Sequence, residues 1–274
     1  MPATTVNSQR DNASYLVFSA ANQLYGLFYN DLLQILDAPA ATPLPLSPPS
    51  VRGVIDVQGA TVPLVDLRVL LGSPSLRDEI ADLVRTVAAR RQDHVNWLTK
   101  LKEAVYHDKE ISVQTDPHKC NFGLWYDRYE TSSATFAIYM QRFDKPHNAV
   151  HRIAIEAKEL MTRGQMNAAK ALVHDVENTI LKGLLALFDG FEAQLKRHTH
   201  EYAIVLQRDE RMFALLVDNL VVFDTFTETV SELPLAARNA QANFVTQVGR
   251  LASNGTLQDV LILDPDLLHI AAFS

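Results

Sequence analysis

Three short stretches of the chain hold residue types that bind metal ions. His94 and Trp97 stand in HVNW. Cys120 opens CNFGLW, which continues through Gly123 and Trp125, and His147 and His151 bracket HNAVH. Positions four apart on a helix share one face, so the two imidazoles of HNAVH can reach a single ion. Cys120 is the one cysteine in the chain and adds a soft thiolate, while His94 adds a third imidazole. One sulfur and three nitrogens suit tetrahedral zinc. A His-x-x-x-His pair on a helix also arises by chance, and His107, His118, His174, His198 and His200 are further imidazoles. His118 competes locally, two residues from Cys120. Cys120 read without a metal is a small buried hydrophobe. Trp97, Phe122 and Trp125 read as helix packing, and they pack the helices that aim the ligands.

These stretches lie in a region of helical spacing, residues 76–197. Ile80, Leu83, Val84, Val87, Val95, Leu98, Leu101 and Val105 recur mostly at steps of three and four, which predicts a helix over 80–107. A second helix is expected over 122–143. A third starts at Asp144 as N-cap, with Pro146 in its first turn, and runs from His147 to about Arg163 with Gly164 as its C-cap. A fourth covers 165–195. Four amphipathic helices with short connections predict an antiparallel bundle.

The flanks read as β structure. In the first, 14–75, SYLVFSA (14–20) and YGLFY (25–29) form a hairpin pattern, and DLLQILD (31–37) fits a short strand or helix. The Pro-rich TPLPLSPP (42–49) fits neither a helix interior nor a central strand. VRGVIDVQGATVPLVDL (51–67) alternates as two strands around Gln58-Gly59. In the second flank, 198–274, strand-like runs are EYAIVLQ (201–207), FALLVDNLVVF (213–223), FVTQVGRL (244–251) and LQDVLILDPDLL (257–268), with turns at RDER (208–211) and Asn254-Gly255. β, then α, then β predicts an α+β chain: one all-β domain with a helical domain inserted in a loop.

Composition narrows the function classes. The chain has 274 residues, 47% of them hydrophobic, and a formal charge of −7. Residues 76–197 hold 18 basic and 17 acidic side chains, so the acidic excess belongs to the flanks. No basic face suggests a nucleic-acid partner. No apolar run is long enough to span a bilayer, and a polar start with a single cysteine is expected of a cytoplasmic protein. Neither a phosphate loop nor a nucleophile elbow is present, and no enzymatic activity is expected. A zinc hydrolase would need an open coordination position and a base such as Asp144 or Glu156, and nothing in their placement favours it.

The insert resembles the chemoreceptor zinc-binding family, whose pattern is His-x-x-aromatic, Cys-x-apolar-Gly-x-aromatic and His-x-x-x-His. All three pieces occur here in order, with 22 residues between Trp97 and Cys120 and 21 between Trp125 and His147. The resemblance implies that His94, Cys120, His147 and His151 are zinc ligands, and it leaves His118 out. It also implies that two copies pair through the insert. The flanks are similar to CheW, the coupling protein of bacterial chemotaxis arrays, in TPLPLSPPSVRGVIDVQGATVPLVDLRVLLG (42–72), FALLVDNLVVF, FVTQVGRL and LILDPDLL. That likeness implies two intertwined five-stranded barrels of SH3 type. It also implies binding to the regulatory domain of the histidine kinase CheA and to chemoreceptor tips. Gln58 stands where the family usually has arginine, and it cannot supply the planar cationic fork of that side chain, which suggests a specialised coupler. Together the two resemblances imply a chemotaxis adaptor whose Zn–thiolate site senses an oxidant such as hypochlorous acid, or zinc itself. The alternative is a scaffold in which zinc is purely structural.

Overall fold

The computed structural model describes residues 14–131, 133–208, 211–226, 228–230, 243–253 and 255–273. The chain divides into two compact units. One is Arg77–Thr199, and the other combines the chain up to Leu76 with the chain from His200 onward.

The first flank supplies β1 (Ser14–Ala20), β2 (Gln23–Phe28), β3 (Leu32–Asp37), β4 (Val51–Val57), β5 (Ala60–Asp66) and the four-residue helix α1 (Leu67–Leu70). The middle supplies α2 (Leu76–Tyr106), α3 (Asn121–Tyr126), α4 (Ala134–Gln141), α5 (Asp144–Thr162), α6 (Met166–Asn178) and α7 (Ile180–His198). The second flank supplies β6 (Tyr202–Arg208), β7 (Arg211–Val217), β8 (Asn219–Thr225), β9 (Glu228–Val230), β10 (Val245–Ser253), β11 (Thr256–Leu263) and α8 (Pro265–Phe273).

The strands form two mixed sheets. One has five strands in the order β3-β6-β7-β5-β4, and the other has six in the order β8-β1-β2-β11-β10-β9, the sixth being the three-residue β9. Parallel pairing joins β5 to β7 and β2 to β11, while the remaining pairs are antiparallel. Each sheet takes strands from both flanks, so neither flank can complete a sheet alone. The alternation read from Val51–Val57 is present: Val51, Gly53, Ile55 and Val57 are buried, and Asp56 is exposed. The turn at Gln58-Gly59 has left-handed backbone at both residues (φ 54° and 88°), the geometry of a two-residue hairpin loop. The Gln58 amide donates to Gln34 Oε1 at 3.2 Å on an exposed face. Leu16, Phe18, Leu27, Val65, Leu67, Ile204, Leu215, Val217 and Phe244 form the main core of this unit.

Several element boundaries differ from the sequence expectation, each for a local reason. The 31–37 segment is a strand, β3, after a 3-10 turn at Tyr29–Asp31. The run 213–223 is two strands, parted at Asp218, whose carboxylate accepts from Ala21 N and from Arg68. The run 257–268 ends as strand at Leu263. Pro265 lacks an N–H for the ladder, and Asp264 Oδ1 accepts from the amides of Asp266 and Leu267, which starts α8. The expected helix 122–143 is the two short helices α3 and α4. Between them Thr131 accepts from Ser133 N, and Ser133 caps α4 through Phe136 N. Short polar side chains there satisfy the backbone without a helix. The expected helix 165–195 breaks at Thr179 (φ −120°, ψ −86°), where Asn178 and Thr179 donate back to the carbonyls of His174 and Asp175. α5 begins at Asp144 itself, with Phe143 in the cap position and no side-chain cap. Its other end is as expected: Gly164 has φ +70° and closes the helix with Gln165 N bonded to Leu160 O. The turn at 208–211 and the one at Asn254-Gly255 fall partly outside the described residues; Gly255 itself has φ +79°.

Candidate metal centre

α2 carries its buried face at Val87, His94, Trp97, Leu98, Leu101, Ala104 and Val105, so one polar residue, His94, sits in an otherwise apolar stripe. α5 does the same with His147 and His151 among Val150, Ile153, Ala154 and Ala157. The three imidazoles are 2%, 5% and 1% exposed. That burial needs a reason, because polar groups taken from water without partners cost free energy.

Cys120 arrives from a different kind of element. Asp116 caps a 3-10 turn at Pro117–Lys119 by accepting from His118 N. Cys120 then serves as N-cap of α3, its Sγ accepting from Gly123 N at 3.3 Å. The turn and α3 approach so closely that a Cβ on residue 123 would lie 1.9 Å from Pro117 O. Only glycine allows that approach.

These elements bring four potential ligand atoms, one each from His94, Cys120, His147 and His151, to within 4.8 Å of one another. Cys120 Sγ lies 3.2 Å from His147 Nε2. The ring centroids of His147 and His151 are 4.8 Å apart, and those of His94 and His147 are 5.1 Å apart. From the usual bond lengths, ligand atoms around one tetrahedral zinc ion are about 3.3–3.6 Å apart, so the cluster needs only a small contraction to share an ion.

The orientation of two rings is fixed from behind. His94 Nδ1 donates to Arg90 O at 2.8 Å, and His151 Nδ1 donates to Gln114 O at 2.8 Å. A ring that donates from Nδ1 keeps a lone pair on Nε2. Those two Nε2 atoms are buried and have no hydrogen-bond partner. A cation between them would satisfy both, and this is the backing arrangement that metal-binding histidines ordinarily have.

Electrostatics point the same way. Burial lowers the pKa of His94 to about 4 and that of His147 to about 3, with neighbouring imidazoles adding to the effect. His151 is lowered chiefly by burial. Burial also pushes the Cys120 thiol up, against the lowering effect of the Gly123 and Phe122 amides. Without an ion the pocket is therefore uncharged, with neutral imidazoles presenting lone pairs and a thiol that a metal would have to deprotonate.

Aromatic rings enclose the cluster. Phe122 lies 4.9 Å from His147 and 5.8 Å from His94, and Phe188 lies 5.5 Å from His94. Trp97 is edge-on to His151 at 5.3 Å and donates from Nε1 to Gln114 O at 2.7 Å. Trp125 stacks beside Phe122, with ring centroids 5.8 Å apart. It packs on Tyr129 and Phe191 within the helical core. His118 is exposed and pairs with Asp127 at 2.9 Å, outside the cluster. Sequence reading missed the carbonyls of Arg90 and Gln114, because a backbone acceptor leaves no residue-type signal.

Family models match the chain in two places. A CheW-like domain is found at residues 14–95, and a chemoreceptor zinc-binding domain at residues 94–158. No curated protein matches. Among solved structures, the scaffolding protein TtCheW from Thermoanaerobacter tengcongensis is similar at 11% identity. That similarity covers 92% of this chain and 89% of that one, with a TM-score of 0.41. By these family models the chain is similar to CheW-like domains over residues 14–95 and to chemoreceptor zinc-binding domains over residues 94–158.

Proposed function

We propose that this protein is a non-enzymatic chemotaxis adaptor in which His94, Cys120, His147 and His151 hold one zinc ion. The observation that carries the reading is the convergence of one sulfur and three imidazoles in a buried helical pocket, two of them with unpartnered Nε2 atoms. Bound zinc would supply positive charge that satisfies those lone pairs and stabilises the Cys120 thiolate. The fourth donor favours holding over hydrolysis, since a hydrolytic site keeps one position for water. Glu156, one of the two bases considered, is half-exposed and paired with Arg152 at 3.2 Å.

In this reading the chain is three segments: CheW-like residues 14–75, the zinc-binding insert 76–197, and CheW-like residues 198–274. The β unit docks on the regulatory domain of CheA and on chemoreceptor tips in the cytoplasm. The insert pairs with a second copy and reports on the metal site. Cys120 is the reactive atom. Hypochlorous acid oxidises its sulfur by two electrons: chlorine leaves as chloride and oxygen stays on sulfur as sulfenic acid. A sulfenic sulfur is a poor zinc ligand, so the helices carrying the imidazoles loosen. Direct sensing of zinc uses the same ligands through occupancy. Among the described residues no helix is long and apolar enough to cross a membrane.

The test is zinc content and zinc affinity of the purified chain against a His147→Ala/His151→Ala variant, followed by pull-down with CheA and a receptor fragment before and after hypochlorite. The reading requires about one zinc per chain in wild type and loss in the variant. Equal zinc in both would refute the site. Zinc retained under hypochlorite, with unchanged pull-down, would leave a structural ion only.

A further inference from the structure

Gln114 lies between α2 and the 3-10 turn before Cys120, in a segment with no regular secondary structure. Its side chain is exposed, yet its backbone carbonyl faces the metal pocket and accepts two hydrogen bonds. One comes from Trp97 Nε1 at 2.7 Å and the other from His151 Nδ1 at 2.8 Å. An indole nitrogen can only donate, so the direction of the first bond is fixed. A carbonyl oxygen has two lone pairs, and both are then used. The nearby anchor of the segment is Ile111, 9% exposed and packed in the helical core.

His94 takes its backing from Arg90 O, one turn earlier on its own helix. That acceptor is held by α2 itself. His151 has no such support from α5. Its acceptor sits 37 residues away on an irregular segment, and the Trp97 indole is what ties that segment's carbonyl to α2.

We propose that Trp97 is a positioning residue for the metal site: its indole N–H pins the Gln114 carbonyl, which sets the tautomer and ring orientation of His151. The proposal deepens the zinc reading and rests on it for the identity of the ion, though not for the hydrogen bonds. Trp97 packs edge-on against the His151 ring and bonds the backbone carbonyl that backs it, so it acts on the site through His151. A phenyl ring in its place keeps part of the aromatic volume but frees the carbonyl, so His151 samples the form protonated at Nε2, which cannot ligate.

The experiment uses the full-length chain and the conservative variant Trp97→Phe. In the metal-free wild type, nitrogen-15 NMR of the imidazole rings should show His151 in the Nδ1–H form. In Trp97→Phe the Nε2–H form should appear, and zinc Kd should rise about tenfold to a hundredfold, the usual cost of losing an outer-shell partner. In a His151→Ala background the same tryptophan change should leave Kd within about twofold, which a merely structural role would not produce. Wild-type His151 in the Nε2–H form overturns the proposal. So does Trp97→Phe with unchanged Kd, or an equal loss with and without His151. The tautomer measurement on metal-free wild type decides the matter even where Trp97→Phe fails to fold. A wild-type chain that binds no zinc while His151 is held as Nδ1–H would sink the zinc reading and leave this one standing.

Discussion

Replacing Gly123 with alanine tests how the thiol is delivered to the pocket. The new methyl would lie 1.9 Å from Pro117 O and 2.9 Å from both Pro117 C and His118 Cα. A carbon and a carbonyl oxygen in contact keep about 3.3 Å apart, so the 3-10 turn and α3 must separate by about 1.4 Å. The obstacle is backbone, which cannot rotate aside as a side-chain tip can. Overpacking of this kind costs about 1–3 kcal/mol. The displaced segment carries Cys120, whose Sγ is 3.2 Å from His147 Nε2 and is held by the Gly123 amide. A shift of more than an ångström takes the sulfur out of a shared coordination sphere. Gly123→Ala should therefore lower the melting temperature and weaken zinc binding at least tenfold, or about 1.4 kcal/mol. Competition with a chromogenic chelator, read beside thermal unfolding, measures both. Gly183→Ala is the control. That glycine is exposed on α7, and a methyl added to it would meet nothing within 4 Å, so alanine there should stabilise by about 0.5–1 kcal/mol. If Gly123→Ala binds zinc as tightly as wild type and melts at the same temperature, the close approach of the two segments is wrong.

Other outcomes concern the β unit. Arg68 donates to Asp218 at 2.7 Å, with both side chains nearly buried, and also to Pro74 O at 3.0 Å. Arg68→Ala leaves the largely buried Asp218 carboxylate with the Ala21 amide but without its counter-charge, and should cost about 3–5 kcal/mol in denaturant unfolding. Removing Arg85, whose pairing with Asp82 is exposed, should cost under about 0.5 kcal/mol; comparable losses would contradict the burial argument. Tyr25 is 4% exposed, and burial, with Asp218 adding to it, raises its pKa to about 12. A folded-state pKa above the unfolded one gives stability that is complete below about pH 10 and lost as pH rises toward 12. Unfolding free energy should thus fall by about 2–3 kcal/mol across that interval, and Tyr25→Phe should flatten the profile. An unchanged slope in the variant would assign the pH dependence to other groups.

Element types were legible wherever a local pattern was strong. The alternation in 51–57, the Gln58-Gly59 turn and the helix through His94 all stand in the structure as the residues suggested. Boundaries were less legible, because the competing signals were single side chains. Thr179 and Asn178 turn back on their own helix, and Asp264 caps a new one after a strand-like run. Hydrophobic periodicity passes through such positions without a mark.

The sequence by itself determined the donor set: which residues can offer sulfur and nitrogen, and that His147 and His151 share a helix face, since a fixed rise and twist per residue decide that locally. It also determined that β patterns flank a helical middle. Only the tertiary structure decided that His94 from α2 and Cys120 from the start of α3 meet that face, and that the Arg90 and Gln114 carbonyls set two of the rings. Pairing strands from both flanks into each sheet was likewise decided there. The reason is common to all of these. Contacts between distant segments depend on which buried surfaces fit and on which backbone groups are left to bond, and neither quantity is carried by residue type or spacing.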